Sequence, residues 1–318
     1  MNIPVENPGD YSRSEMHRLT VPDSLAGRRL DQVLAELLPQ HSRNRLQSWV
    51  REGRVAVDGA AETEPKRKLR GGEALEVAMV PDQEALAGQA EDIPLSIVFE
   101  DEYLLVIDKP AGLVVHPGSG NWSGTLMNAL LHQAPEVEQV PRAGIVHRLD
   151  KDTSGLLVVA RTLEAQTDLV RQLQARTVKR QYLALAGGVV KKEGKVDAPI
   201  GRHPVQRVKM AVVPEARGGK PAVTHYRILE RFARSTLVEC SLETGRTHQI
   251  RVHMAHLKHP LVGDPVYGRE DRLLPPFQRQ ALHAARLGLV HPVSGLYLQW
   301  EAPLPGDMRQ LLETLRGA

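Results

Sequence analysis

A chain of 318 residues with 42% hydrophobic content is long enough for two domains, and with aromatics at only 4% any core must be mostly aliphatic. The single cysteine, Cys240, excludes an internal disulfide and any cysteine-cluster metal site, and no apolar run approaches the roughly 18 residues needed to span a bilayer. The net charge of +3 excludes little, because it is segregated: Arg171 to Lys220 holds twelve Lys/Arg against three Asp/Glu, while Pro81 to Glu102 holds seven acidic residues and no basic one.

In chain order, residues 1–17 are polar, carry Pro4, Pro8 and Gly9, and lack periodicity, so a disordered tail without a leader pattern is expected. Residues 18–80 read as a small domain. Leu30, Val33, Leu34, Leu37 and Leu38 have the spacing of a helix with one buried face. Ser42 is a good N-cap for a second helix with Leu46, Trp49 and Val50 as its stripe and Gly53 as its stop. Val55 and Val57 alternate into Asp58-Gly59, a hairpin signal, and Leu75, Val77 and Met79 alternate again. Basic residues on the polar side, among them Arg43, Arg45, Arg54 and Lys66, suit phosphate contacts on structured RNA. Residues 81–95 are acidic, without apolar period, and read as a linker.

Residues 96–318 form the larger domain. Strands are expected at Tyr103–Ile107, Leu156–Ala160, Gln181–Ala186, Thr224–Leu229 and Leu237–Leu242, and helices at Thr125–His132 and Leu163–Arg176. Strands and helices do not alternate strictly, so the expectation is α+β: a mixed, mainly antiparallel sheet flanked by helices. Cys240 lies in an alternating run and reads as a small core residue.

The most informative stretch is Arg142-Ala143-Gly144-Ile145-Val146-His147-Arg148-Leu149-Asp150-Lys151-Asp152-Thr153-Ser154-Gly155. Charge this dense, directly before the apolar run Leu156–Ala160, stabilises poorly and suits a functional loop on a rigid scaffold. Three more segments stand out: Asp108-Lys109-Pro110-Ala111-Gly112, Lys179-Arg180-Gln181-Tyr182, and Gly245-Arg246-Thr247-His248-Gln249-Ile250-Arg251-Val252-His253, where a strand is expected to end at Gly245 and a helix to begin at Thr247.

Together these segments resemble the pseudouridine synthases that modify ribosomal and transfer RNA, and residues 18–80 resemble the S4 RNA-binding domain found in front of many of them. The resemblance covers nearly all of the chain beyond the tail. It implies an isomerase that breaks the N1–C1′ bond of uridine, turns the uracil and rejoins it through C5, with no cofactor and no metal. Asp150 matches the essential aspartate and Arg251 the arginine beside it. Tyr182 matches the tyrosine that packs on the base and assists proton removal at C5, and Ile250 a residue lining the base pocket. Arg148 matches the arginine that fills the space of the flipped nucleotide. Lys109 and Arg246 are further expected contacts near the substrate; Asp152 is expected to support the loop and His147 not to act as acid or base. The implied partner is large-subunit (23S) ribosomal RNA, at the stem-loop that meets the small subunit near the decoding centre, and a cytoplasmic monomer is expected. The segment Arg269–Gln280, after the family-like Gly263-Asp264-Pro265-Val266-Tyr267-Gly268, is shorter than the resemblance would lead one to expect.

Two other readings stay open on the residues alone. Asp150 and Asp152 could form the carboxylate pair of an RNA glycosidase or nuclease, and the basic surface could serve a non-catalytic RNA chaperone. His248, His253, His256 and His259 invite a metal reading, but no His-Glu-x-x-His pattern accompanies them.

Overall fold

The computed structural model describes residues 15–79, 87–118, 120–206, 209–269 and 271–317. The chain divides into two compact units, residues 1–85 and 86–318. Most of the expected tail, and residues 81–86 of the expected linker, lie outside the described residues.

The first unit contains β1 (Glu15–Thr20), α1 (Leu30–Leu37), α2 (Arg43–Arg51), β2 (Val55–Val57), β3 (Ala60–Glu62) and β4 (Ala74–Met79), with the antiparallel sheet order β1-β4-β2-β3. β1 corrects the tail boundary: residues 15–17 are already in the sheet, paired in register from Glu15↔Met79 to Thr20↔Ala74. The backbone ladder holds this edge with little apolar burial, which is why composition did not reveal it. Ser42 does cap α2, its hydroxyl accepting from the Arg45 N–H at 3.4 Å. Asp58 and Gly59 carry φ of 52° and 77°, the paired left-handed angles of a two-residue hairpin turn. Leu30, Val33, Leu34, Leu46, Trp49 and Val50 bury the facing stripes of the helices against Val55, Val57, Leu75 and Val77. Each such side chain contributes about 1.5–3 kcal/mol of burial.

One charge sits in that interior. Asp31 on α1 is fully buried and accepts from Arg29 on both oxygens, from Arg43 at 2.9 Å and from Gln47 at 2.6 Å. Burial alone would raise its pKa, but these donors hold it below the usual carboxylate value.

The second unit runs β5 (Ser96–Glu100), β6 (Leu104–Lys109), α3 (Leu126–Gln133), β7 (Ser154–Ala160), α4 (Leu163–Gln174), β8 (Lys179–Gly187), β9 (Gly194–Asp197), β10 (Ile200–Arg202), β11 (Met210–Val212), β12 (Val223–Arg231), β13 (Ser235–Leu242), α5 (Gln249–His256), β14 (Leu282–Val290), β15 (Tyr297–Glu301) and α6 (Gly306–Arg316). β10 and β11 form a small ribbon. The other strands make one sheet in the order β5-β6-β7-β14-β8-β13-β12-β9, with β15 also on β14. Its pairings are antiparallel except β7 with β14. The fold is therefore α+β, with a mixed, mainly antiparallel sheet flanked by helices.

β7 explains the uninterrupted apolar run of 156–160. Leu157 and Val159 pack toward α3 and α5, while Leu156 and Val158 pack toward α4, so every residue of the strand is buried. α3 is fixed by Thr125, whose hydroxyl accepts from the Asn128 N–H while the Asn128 side chain accepts from the Thr125 N–H. Cys240 is buried opposite Tyr182 in the β8–β13 register, and burial pushes its thiol up to about 12. Among the described residues no helix is long and apolar enough to cross a membrane.

Candidate active site

Asp150 lies in the loop that feeds β7, and that loop is gripped through its main chain. The Lys151 carbonyl accepts from the Gly112 N–H at 2.9 Å and from Lys109 Nζ at 2.9 Å. The Asp152 carbonyl accepts from Arg279 at 3.0 Å, and Thr153 Oγ1 accepts from Gln280. Gly144 and Gly155 bracket the loop, at φ of 73° and 110°. A Cβ on either would collide with main chain, at Ala160 and Ala284 respectively, so only glycine allows the loop to lie this close to the sheet. Arg142 and Ala143 are also left-handed, at φ 57° and 50°, a strain of about 1–2 kcal/mol each.

With the main chain fixed, the Asp150 side chain is left 17% exposed, and its Oδ2 accepts from Arg251 at 3.0 Å. Arg251 stands on α5 and is 5% exposed. Its Nε and second terminal nitrogen grip both oxygens of fully buried Asp264, at 2.7 and 2.9 Å. Asp264 in turn accepts the N–H groups of Val266 and Tyr267 at 2.8 and 3.0 Å. Burial alone would lower the Arg251 pKa and raise that of Asp264; their mutual pairing reverses both, so this pair stays charged. The guanidinium also lies 5.2 Å from the Tyr267 ring centre.

His248 forms a second side of the carboxylate. It begins α5 in a left-handed conformation, φ 57°, with Nε2 3.9 Å from Asp150 Oδ1. The Tyr267 hydroxyl accepts from the Met210 N–H at 2.9 Å and so has its proton free for His248 Nδ1, also at 2.9 Å. With the phenol donating to Nδ1, the ring proton of neutral His248 sits on Nε2, facing Asp150. Burial holds the His248 pKa below its usual value. α5 itself is stapled to β12 by Gln249, which donates to the Val223 carbonyl and Thr224 Oγ1 and accepts from Thr244 and the Arg246 N–H.

A cavity of about 600 Å³ opens over this carboxylate. Asp150, Arg148, Tyr182, Arg246, Ile250 and Arg251 all line it, so six of the seven residues expected near the substrate come together. Tyr182 and Ile250 are buried and supply apolar wall, whereas Arg148 and Arg246 are exposed. Burial raises the Tyr182 pKa, so the phenol keeps its proton. The Arg246 Nε donates to the Pro221 carbonyl.

Lys109 is the correction. It is fully buried and donates to the carbonyls of Pro110, Leu113 and Lys151 at 2.8, 2.9 and 2.9 Å, so it cannot touch a substrate. Burial draws its pKa down to about 7, while three acceptors for three ammonium hydrogens favour the charged form. It holds the loop from beneath. His147 is also structural: its Nε2 accepts from the Val158 N–H, and burial lowers its pKa to about 3. His253 spends both ring nitrogens on Thr224 and Ala198, and His259 binds the Gly187 carbonyl. The helix expected from Thr247 begins at Gln249, and the preceding strand ends at Leu242.

Sequence reading missed His248, Asp264, Tyr267 and Gln249 as contributors to the site. The first and last sit inside a motif already singled out. Asp264 and Tyr267 lie in the family-like stretch of 263–268, where no local signal reveals a partner on α5. In the first unit, Arg43 is tethered by Asp31 and Arg54 by Glu52, while Arg45 lies half-buried on α2 and Lys66 is exposed.

The family model described as RNA pseudouridylate synthase matches residues 103–256, and the S4 domain model matches residues 28–75. The chain is 60% identical over 314 residues to the ribosomal large subunit pseudouridine synthase D of Nitrosomonas europaea, covering 97% of this chain and 90% of that protein. It is 56% identical over 308 residues to the protein of the same name from Pseudomonas aeruginosa, covering 93% and 94%. Among solved structures, human RNA pseudouridylate synthase domain containing 1 aligns with a TM-score of 0.54 at 28% identity, over 72% of this chain and 97% of that one.

Proposed function

The chain belongs to the RNA pseudouridylate synthase family and is an isomerase, and from that premise we propose that it converts uridines of large-subunit (23S) ribosomal RNA to pseudouridine. The proposed target is the stem-loop that meets the small subunit near the decoding centre. Nearly full-length similarity to proteins named for large-subunit RNA supports the substrate. An S4 domain and the basic residues Arg43, Arg45, Arg54 and Lys66 support a second RNA contact.

In the proposed reaction the uridine leaves its stack, at a few kcal/mol, and enters the cavity. Arg148 takes the space it vacates, and the uracil packs against Tyr182 and Ile250. Asp150 acts as nucleophile at C1′ or as base. The N1–C1′ bond breaks, the base turns, C5–C1′ forms, C5 loses its proton and N1 gains one. Atoms balance without an added reactant. Tyr182, protonated in its buried setting, contributes stacking. Arg251 orients the carboxylate while Asp264 holds Arg251, and that chain of charge is the observation that carries the reading.

The test is carbodiimide-blocked reverse transcription of 23S RNA from cells lacking the protein, complemented with wild type or Asp150→Asn. Wild type should restore specific stops and the variant none, with RNA mass unchanged by either protein. Stops restored by Asp150→Asn, or a mass change, would exclude this chemistry.

A further inference from the structure

One buried cation of the cavity has no part in the reaction just described. Arg180 stands on β8 two residues before Tyr182 and on the same face, about 7 Å along the strand. It is 8% exposed and lines the cavity. Among the described residues its buried Nε has no hydrogen-bond partner, and the contact of a terminal nitrogen with the Glu243 carbonyl is stretched to 3.5 Å.

Other buried arginines of this unit look different. Arg251 and Arg279 are each gripped by both oxygens of an aspartate, Asp264 and Asp307. Among the described residues Arg180 has no such aspartate or glutamate. A buried charge without an anion is costly, and burial holds the Arg180 pKa below the usual guanidinium value. The fold nevertheless makes room for it: a Cβ on Gly245 would come within 2.6 Å of an Arg180 terminal nitrogen. The surrounding wall is positive. Arg142, Arg148, Arg176 and Arg246 line the same cavity, and its Glu243 is already engaged by His225 and Arg176.

We propose that Arg180 is the anchor for a backbone phosphate of the RNA next to the target uridine, meeting it where the side chain lines the cavity while the base lies on Tyr182. The inference rests on the proposed RNA substrate and adds to it a specific anion site. A guanidinium fork suits a phosphate through paired charge-assisted hydrogen bonds. The phosphate supplies the counter-charge that the protein itself withholds.

The test uses the full-length protein and a 23S RNA transcript, with binding and product formation read separately. Arg180→Met should weaken binding about 10- to 100-fold. It should also make the slope of log affinity against log salt shallower by about 0.7 to 0.9, the value of one phosphate contact. Its urea stability should match or exceed wild type, since an uncompensated charge is removed. A variant that loses stability but keeps the wild-type salt slope would make Arg180 a structural residue and overturn the proposal. Wild-type protein offers a second route that needs no variant to fold. A stem-loop with a neutral methylphosphonate on one side of the modified uridine should lose a comparable factor in affinity, and no loss on either side would overturn the proposal. Product formation with an unchanged slope in Arg180→Met counts against Arg180 alone. A changed slope without product from wild type counts against the isomerase reading and leaves the phosphate contact standing.

Discussion

Each unit of this protein buries an aspartate–arginine cluster, and the two are built in opposite senses. In the first unit the carboxylate is central: Asp31 is fully buried and saturated by Gln47 and by Arg29 and Arg43, whose side chains remain 32% and 48% exposed. In the second the guanidinium is central: Arg251 is 5% exposed and divided between two aspartates, one fully buried and one 17% exposed. The first arrangement consumes the acid and turns bases outward, which suits a surface that meets phosphate. The second consumes the base and leaves a carboxylate oxygen unfilled, which suits chemistry. The same two residue types give a scaffold or a reagent, depending on which one the interior surrounds.

That contrast can be broken at its centres. The largest effect is expected from Asp264→Ala, which strips Arg251 of its bidentate partner and orphans the Val266 and Tyr267 N–H groups. The expected cost is about 3–5 kcal/mol of the second unit in urea unfolding, with loss of pseudouridine formation. A loss under 1 kcal/mol would mean that Arg251 does not depend on Asp264. Asp31→Ala should follow, at about 3 kcal/mol, confined to the first unit. Limited proteolysis with mass mapping checks this: new cleavage should appear within the first unit and not in the second, and cleavage in both would erase the distinction.

Acid pH should separate the units gradually, with an effect per pH unit smaller than that of either substitution. His147 has a folded pKa of about 3 against 6.5 unfolded. Between those values the unfolded chain binds more protons, so the second unit loses stability as pH falls from 6.5 toward 3, at up to about 1.4 kcal/mol per pH unit. Asp31 is depressed below 3.8, so its contribution is complete above 3.8 and is lost only as pH falls through its lower folded value. Stability followed by urea titration across this range should fall first in the second unit, and His147→Gln should flatten that slope. Parallel loss in both units would refute the assignment.

Much of this was legible in local pattern. The α1 and α2 stripes, the Asp58-Gly59 turn and the charged Asp150 loop follow from spacing and residue chemistry, while Arg251 was singled out by the family resemblance. What was missed depends on distant partners. Lys109 sits in a motif and reads as a contact, yet its three acceptors are carbonyls, one of them forty-two positions away. Asp264 looks like a turn residue until α5 folds over it. β14 joins β7 in parallel and β8 in antiparallel register, and its run of Leu, Ala and Gly gives no clear period. α6 is different: Met308, Leu311, Leu312 and Leu315 carry a helical spacing in plain view, in a segment outside the catalytic motifs.

The thiol of Cys240 lies sealed inside the sheet and, raised to about 12, yields almost no thiolate at neutral pH. With no second cysteine in the chain, native protein should stay inert to maleimide reagents while folded. Two introduced cysteines, one at an exposed position of each unit, would then be the only reactive handles, and a pair of dyes could measure the distance between the units as RNA arrives without first removing anything the native molecule contains.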